Sequence, residues 1–100
     1  MKKIIIYQIK DIENTDYAFR SFDEKKFNIN DYEKVCGIET NKYNDLINAD
    51  VAEAIFTASN IGVLRIPEAH TISVSDIIKV DDDYFYCDII GWKTVTKYAT

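Results

Sequence analysis

The sequence predicts a small α+β domain: a mostly antiparallel sheet with one principal helix packed on it and a three-stranded meander at the C-terminal end. Three observations predict it. Residues Lys2 to Ile9 form a dense β-branched and aromatic run; one stretch, Ala49 to Ser59, has helical periodicity; and residues 77 to 98 divide into three β-rich runs separated by turn residues. A length of 100 residues is that of one domain, and 47% hydrophobic with 13% aromatic residues supplies one continuous core. Residues 1–100 are therefore read as a single domain that needs no metal or crosslink to be stable.

Each element has its own warrant. Ile4, Ile5 and Ile6 with Tyr7 and Ile9 have the near-continuous apolar character of a central strand, which Asp11 to Asp16 ends. Ser21 and Glu24 have the spacing of a capping box, predicting a short helical turn that runs into Lys25 and Lys26. From Asp31 to Glu39 the residues Tyr32, Val35, Cys36 and Ile38 fit neither period, and Gly37 among them predicts a strand with a bulge. In Ala49–Ser59, Asp50 is the expected N-cap with Glu53 at the matching third position, while Val51, Ala54, Ile55 and Ala58 share one face. Asn60 and Gly62 stop that helix.

Val63 to Ile66 reads as a short apolar piece closed by Pro67, and Glu68 to Thr71 as loop. Ile77–Val80 and Tyr84–Ile89 flank the acidic turn Asp81-Asp82-Asp83 as a hairpin, and Gly91 bends the chain into a third run, Trp92 to Tyr98. On the middle strand Phe85, Cys87 and Ile89 are assigned to the core. Tyr84, Tyr86 and Asp88 point the other way, where the phenols either cap the core or offer rigid interface area.

Charge and chemistry narrow the function. A net charge of -5, from 17 acidic and 12 basic residues, argues against a phosphate-neutralising surface and fits a basic partner more readily. Cys36 and Cys87 are far apart with no C-x-x-C spacing, and the apolar run after Met1-Lys2-Lys3 is too short for a secretory signal. The expectation is a soluble cytoplasmic protein with both thiols reduced. His70 is the single histidine; Ser73, Ser75 and Asp76 follow it, but adjacency in a loop is not triad geometry. One histidine and two remote cysteines make no zinc set, the successive aspartates of the turn alternate in direction, and Gly37, Gly62 and Gly91 stand too far apart for a phosphate loop. No cofactor or metal is expected, and no enzymatic activity.

The segment Thr71-Ile72-Ser73-Val74-Ser75-Asp76-Ile77-Ile78-Lys79-Val80, followed by Tyr84-Phe85-Tyr86-Cys87-Asp88 and Gly91-Trp92, resembles the C-terminal part of YodL-like domains from conjugative and other mobile elements of low-GC Gram-positive bacteria. Ile6-Tyr7-Gln8-Ile9-Lys10 and Asp16-Tyr17-Ala18-Phe19 are similar to that family's opening motifs; Trp92 stands where the family usually has phenylalanine. The resemblance implies a mobile-element or phage setting and an accessory role, and it brings no catalytic signature with it.

The expected function is therefore a non-enzymatic accessory protein that binds a protein partner, in its sharper form an inhibitor of a bacterial defence system of the anti-CRISPR or anti-restriction kind. Asp81, Asp82, Asp83, Tyr84, Tyr86 and Trp92 are the candidate contact residues. The alternative is a nucleic-acid-binding module in which Tyr84, Tyr86 and Trp92 stack on bases and Lys79, Lys93 and Lys97 form a basic rim. No membrane partner is expected.

Overall fold

The computed structural model describes residues 1–65 and 69–99. Its centre is a five-stranded sheet in the order β2-β1-β3-β4-β5, antiparallel throughout, formed by β1 (Lys2–Ile9), β2 (Tyr32–Thr40), β3 (Ile77–Val80), β4 (Asp83–Cys87) and β5 (Trp92–Thr94). One principal helix, α1 (Asn48–Asn60), completes the expected α+β architecture, and a single turn of helix, α2 (Thr96–Ala99), follows β5. β1 is paired along both edges, as its apolar sequence predicts.

Both faces of the sheet are covered, by different chemistry. Ile4 and Ile6 of β1, Ile78 and Val80 of β3 and Phe85 of β4 meet Val51, Ala52 and Ile55 of α1 in an aliphatic layer. Ile9, Ile77 and Tyr86 face the other way and pack with Tyr17, Tyr32 and Val95 under the segment 11–31. That segment is irregular, with 3-10 turns at Ile12–Asn14 and Ile29–Asp31. Each fully buried aliphatic side chain contributes about 1.5–3 kcal/mol.

Several local expectations are corrected. The bulge in β2 lies at Val35, between the pairs Ile6 with Cys36 and Tyr7 with Lys34, while Gly37 pairs regularly with Ile5. The inserted residue reverses the side-chain alternation, so one strand gives Cys36 and Ile38 to the helix side and Tyr32 to the aromatic side. The turn near Ser21 is capped by Asp23, which accepts from Lys25 N through its carboxylate and from Lys26 N and Phe27 N through its carbonyl. α1 starts earlier than its sequence predicts: Ile47 is the N-cap without a side-chain bond, and Asp50 lies in the first turn. Asn48 fixes that start by donating to Val80 O and Asp83 Oδ2 while accepting from Lys2 Nζ.

The buried face of α1 is Val51, Ala52, Ile55 and Ser59, so Ala54 and Ala58 sit to one side of it. Ser59 is drawn inward because its hydroxyl accepts from Ile72 N at 3.1 Å. β4 ends at Cys87; Asp88 closes a turn to Gly91, leaving Ile89 64% exposed and outside the core. The third run of the meander is strand only to Thr94, because α2 folds Tyr98 back to put its ring 5.3 Å from Phe22. Val63 and Leu64 form no strand, and the predicted piece at Ile66, Pro67 and Glu68 lies outside the described residues.

Candidate functional site

Gln8 is a buried amide beside the apolar run of β1, and a buried amide requires partners. It finds them across the sheet end, in the loop between α1 and β3. Its Nε2 donates to His70 O at 2.8 Å and to Asp76 Oδ2 at 3.1 Å. Asp76 is 1% exposed and also accepts from Ser73 N at 3.0 Å. Burial pushes its carboxyl up to about 7, against the opposing pull of the Ser73 amide, the His70 ring and the Gln8 amide. His70 Nδ1 lies 3.6 Å from that carboxyl and 2.7 Å from Thr71 O. Nδ1 also lies 3.3 Å from Gln8 Nε2, so it donates to Thr71 O in one tautomer and accepts from Gln8 in the other.

The backbone around Asp76 is held with equal density. Ser75 N donates to Cys87 O and Cys87 N to Asp76 O, which ties the loop to β4. Tyr32 donates its hydroxyl to Ser75 O at 2.5 Å, and the Ser75 hydroxyl accepts from Phe19 N at 2.9 Å. Ser75 at φ 78° and Phe19 at φ 61° both occupy the left-handed region, a conformation that costs roughly 1–3 kcal/mol for such residues and persists only where neighbours enforce it. Here each enforces the other. The Phe19 ring also stands 5.8 Å from the His70 ring. Gln8, Phe19 and the Ser73–Asp76 turn thus come from three separate segments and close on one point.

The arrangement buries one carboxyl against the Gln8 amide and the Ser73 N–H, with the His70 imidazole beside it. The Ser-His-Asp set writable from this loop is not assembled: the Ser75 hydroxyl is committed to Phe19, and Ser73 Oγ is buried with no hydrogen-bond partner among the described residues. Nor do three His, Cys, Asp or Glu side chains gather into a metal site among the described residues. The Cys87 thiol, pushed up to about 12 by burial, is a core group.

The residues singled out for partner contact are dispersed. Asp81 turns toward β1, accepting from Lys3 N and lying 3.9 Å from Lys2 Nζ. Asp82 is in solvent, and Asp83 is half-buried and accepts from Asn48 on the helix side. Tyr84 is half-buried, its ring 6.1 Å from Tyr7, with Lys79 Nζ 5.2 Å above it. Tyr86 cannot be a contact residue: it is fully buried, donates to Arg20 O at 2.7 Å and meets Phe22 and Phe27 edge-on, because the segment 11–31 covers that part of the sheet. Trp92 belongs to the opposite face, packed at right angles on Phe56 and donating to Glu53. Tyr84, Tyr86 and Trp92 therefore form no common stacking surface.

Two features escaped the sequence reading. The Gln8–Asp76 contact had a signal, since one amide inside a β-branched run must be satisfied somewhere. The second is a groove of about 630 Å³ between the 42–46 turn and the outer side of α1, with Tyr43, Leu46, Ala54, Ala58, Ile61 and Val63 among its walls. It had none, because it depends on how far α1 is rotated.

Fold and site define a single-sheet α+β domain in which separate short motifs are spent on fixing one loop. The chain belongs to the YodL-like domain family, whose profile matches residues 3–98. It is also similar to an uncharacterised protein of Acanthamoeba polyphaga mimivirus, 30% identical over 100 residues that cover 93% of this chain and 90% of that protein. No solved structure gives a significant match. Among the described residues no helix is long and apolar enough to cross a membrane.

Proposed function

We propose that the protein is a non-enzymatic accessory factor of a mobile genetic element that acts in the cytoplasm by binding another protein. The carrying observation is a group of aliphatic side chains left in solvent around one groove of a small domain: Leu46 at 39%, Ile61 at 69% and Val63 at 74% exposure. Exposed apolar side chains of this size, grouped and rimmed by polar residues, mark association surfaces. The viral relative supports the mobile-element setting, and the acidic surface supports a basic partner. In the sharper form of this reading the partner is a nucleic-acid-binding protein of a bacterial defence system.

Photo-crosslinking from surface positions in a host lysate tests the general reading; recovery of nucleic acid alone would end it. Expression alongside an active CRISPR or restriction system tests the sharper form, with protected phage or plasmid as the expected result. A second reading has one observation in its favour. Lys3, Lys34 and Lys79 form no ion pair among the described residues, and Lys79 stands over Tyr84 beside Tyr7. A salt-sensitive shift of a single-stranded oligonucleotide, lost in Lys79→Glu, would move the function to nucleic-acid binding.

A further inference from the structure

We infer that the groove beside α1 receives a cationic amphipathic helix of the partner, an inference that rests on the protein-binding reading above. Asp50, Glu53, Ala54, Thr57 and Ala58 line the groove from α1 and Ile61 from its C-cap, at the three- and four-residue spacing that puts them on one side of a helix. Ala54 and Ala58 keep the floor low, so that the backbone of a second helix can approach closely along it. From Asp50 to Ile61 the floor runs roughly 16 Å, about three helical turns.

Apolar anchors stand at both ends: Leu46 from the turn before α1, and Ile61 and Val63 after it. A second depression of about 220 Å³ adjoins the first, shares Lys42, Tyr43, Ala58 and Val63 with it, and extends it to Ile38 and Thr40 of β2. Such a lane fits apolar side chains at positions i, i+3 or i+4, and i+7 of a helical occupant.

Charge selects the kind of helix. Asp50 and Glu53 line the groove, and the protein as a whole carries -5. The cation in the lining, Lys42, is held over the Tyr43 ring at 5.6 Å. An occupant with lysine or arginine flanking its apolar stripe gains at this rim, and one with glutamate loses. The acidic hairpin turn, Asp81 to Asp83, is a rival docking point for any cationic ligand, but it offers no apolar lane.

The probe is a fluorescein-labelled peptide of leucine and lysine, about fourteen residues long with its leucines on one helical face, and a control in which glutamate replaces lysine. The leucine–lysine peptide is expected to bind, with amide shifts centred on residues 42–63. In the double variant Ile61→Ser/Val63→Ser, checked for retained fold by circular dichroism, Kd rises by about tenfold or more, because two apolar anchors are lost with no change of charge. Unchanged affinity in the double variant, shifts centred on Asp81–Asp83, preference for the glutamate peptide, or no binding to the wild type would each overturn the inference. Crosslinking in lysate separates it from the broader reading. A partner recovered equally by wild type and double variant removes the groove and leaves protein binding intact; a partner recovered by neither removes both.

Discussion

The two faces of the sheet solve the same burial problem differently. On the α1 side, Ile4, Ile6, Ile78 and Val80 meet a helix that satisfies its own backbone hydrogen bonds, so aliphatic side chains suffice. On the other side the cover is the irregular segment 11–31, whose carbonyls need partners from elsewhere. Tyr86 of β4 donates to Arg20 O, and within the segment itself Tyr17 donates to Asn28 O at 3.1 Å and to the Asp31 carboxylate at 2.8 Å. Tyr98 ties the same segment from α2 through Glu24 at 2.6 Å. Burial pushes the hydroxyls of Tyr17, Tyr32 and Tyr86 well above their ordinary value, so they remain protonated donors. A loop laid on a sheet calls for phenols where a helix does not.

The largest expected effect tests whether both faces are true cores. Tyr86→Ala should destabilise by about 3–5 kcal/mol and Ile78→Ala by about 2–5 kcal/mol, read from urea midpoints at constant slope. A Tyr86→Ala loss under about 1 kcal/mol would show the aromatic side to be a loose cover.

Next comes pH. The folded chain holds the Asp76 proton more tightly than the unfolded chain, so ionisation of this carboxyl opposes folding. Its unfavourable contribution is absent well below the unfolded value of about 4 and grows as pH rises toward about 7. The penalty is on the order of a few kcal/mol. Asp76→Asn should flatten the stability profile across that window, measured by urea unfolding from pH 4 to 8; an unchanged slope would mean that the carboxyl is ionised at little penalty.

Smaller effects sharpen the contrast. Tyr17→Phe and Tyr86→Phe should each lose about 0.5–1.5 kcal/mol and speed amide exchange in residues 12–30, while protection in α1 stays constant. Equal loss of protection in α1 would merge the two layers into one cooperative unit. Smallest of all, Ser73→Ala should change stability by less than about 0.5 kcal/mol, since the hydroxyl removed has no hydrogen-bond partner among the described residues.

The helix side was the legible one. The dense apolar run of β1 and the helical spacing of Ala49–Ser59 showed the central strand and the helix, and the three aspartates between two β-rich runs showed the hairpin, because these signals are local. What was lost is set by distant contacts. The rotation of α1 follows from Ser59 holding Ile72, the earlier helix start from Asn48 reaching Val80 and Asp83, and the displaced bulge from the need to send Tyr32 to one face and Ile38 to the other. The site divides in the same way. Asp81 and Asp82 stand in the turn where the sequence puts them, whereas Tyr86 reverses its role because an irregular segment with no periodicity covers it.

The strand order has a consequence for how the chain is made. β1 needs β3 on its second edge, and the pairing of Ile6 with Ile78 joins residues about 70 positions apart. During synthesis β1 and β2 can meet early and α1 can follow onto Ile4 and Ile6, yet the second edge of β1 stays bare until β3 leaves the ribosome. Such a nascent species is prone to self-association. The unpaired edge of β1 is thus the part of the chain most open to another strand while synthesis is still under way.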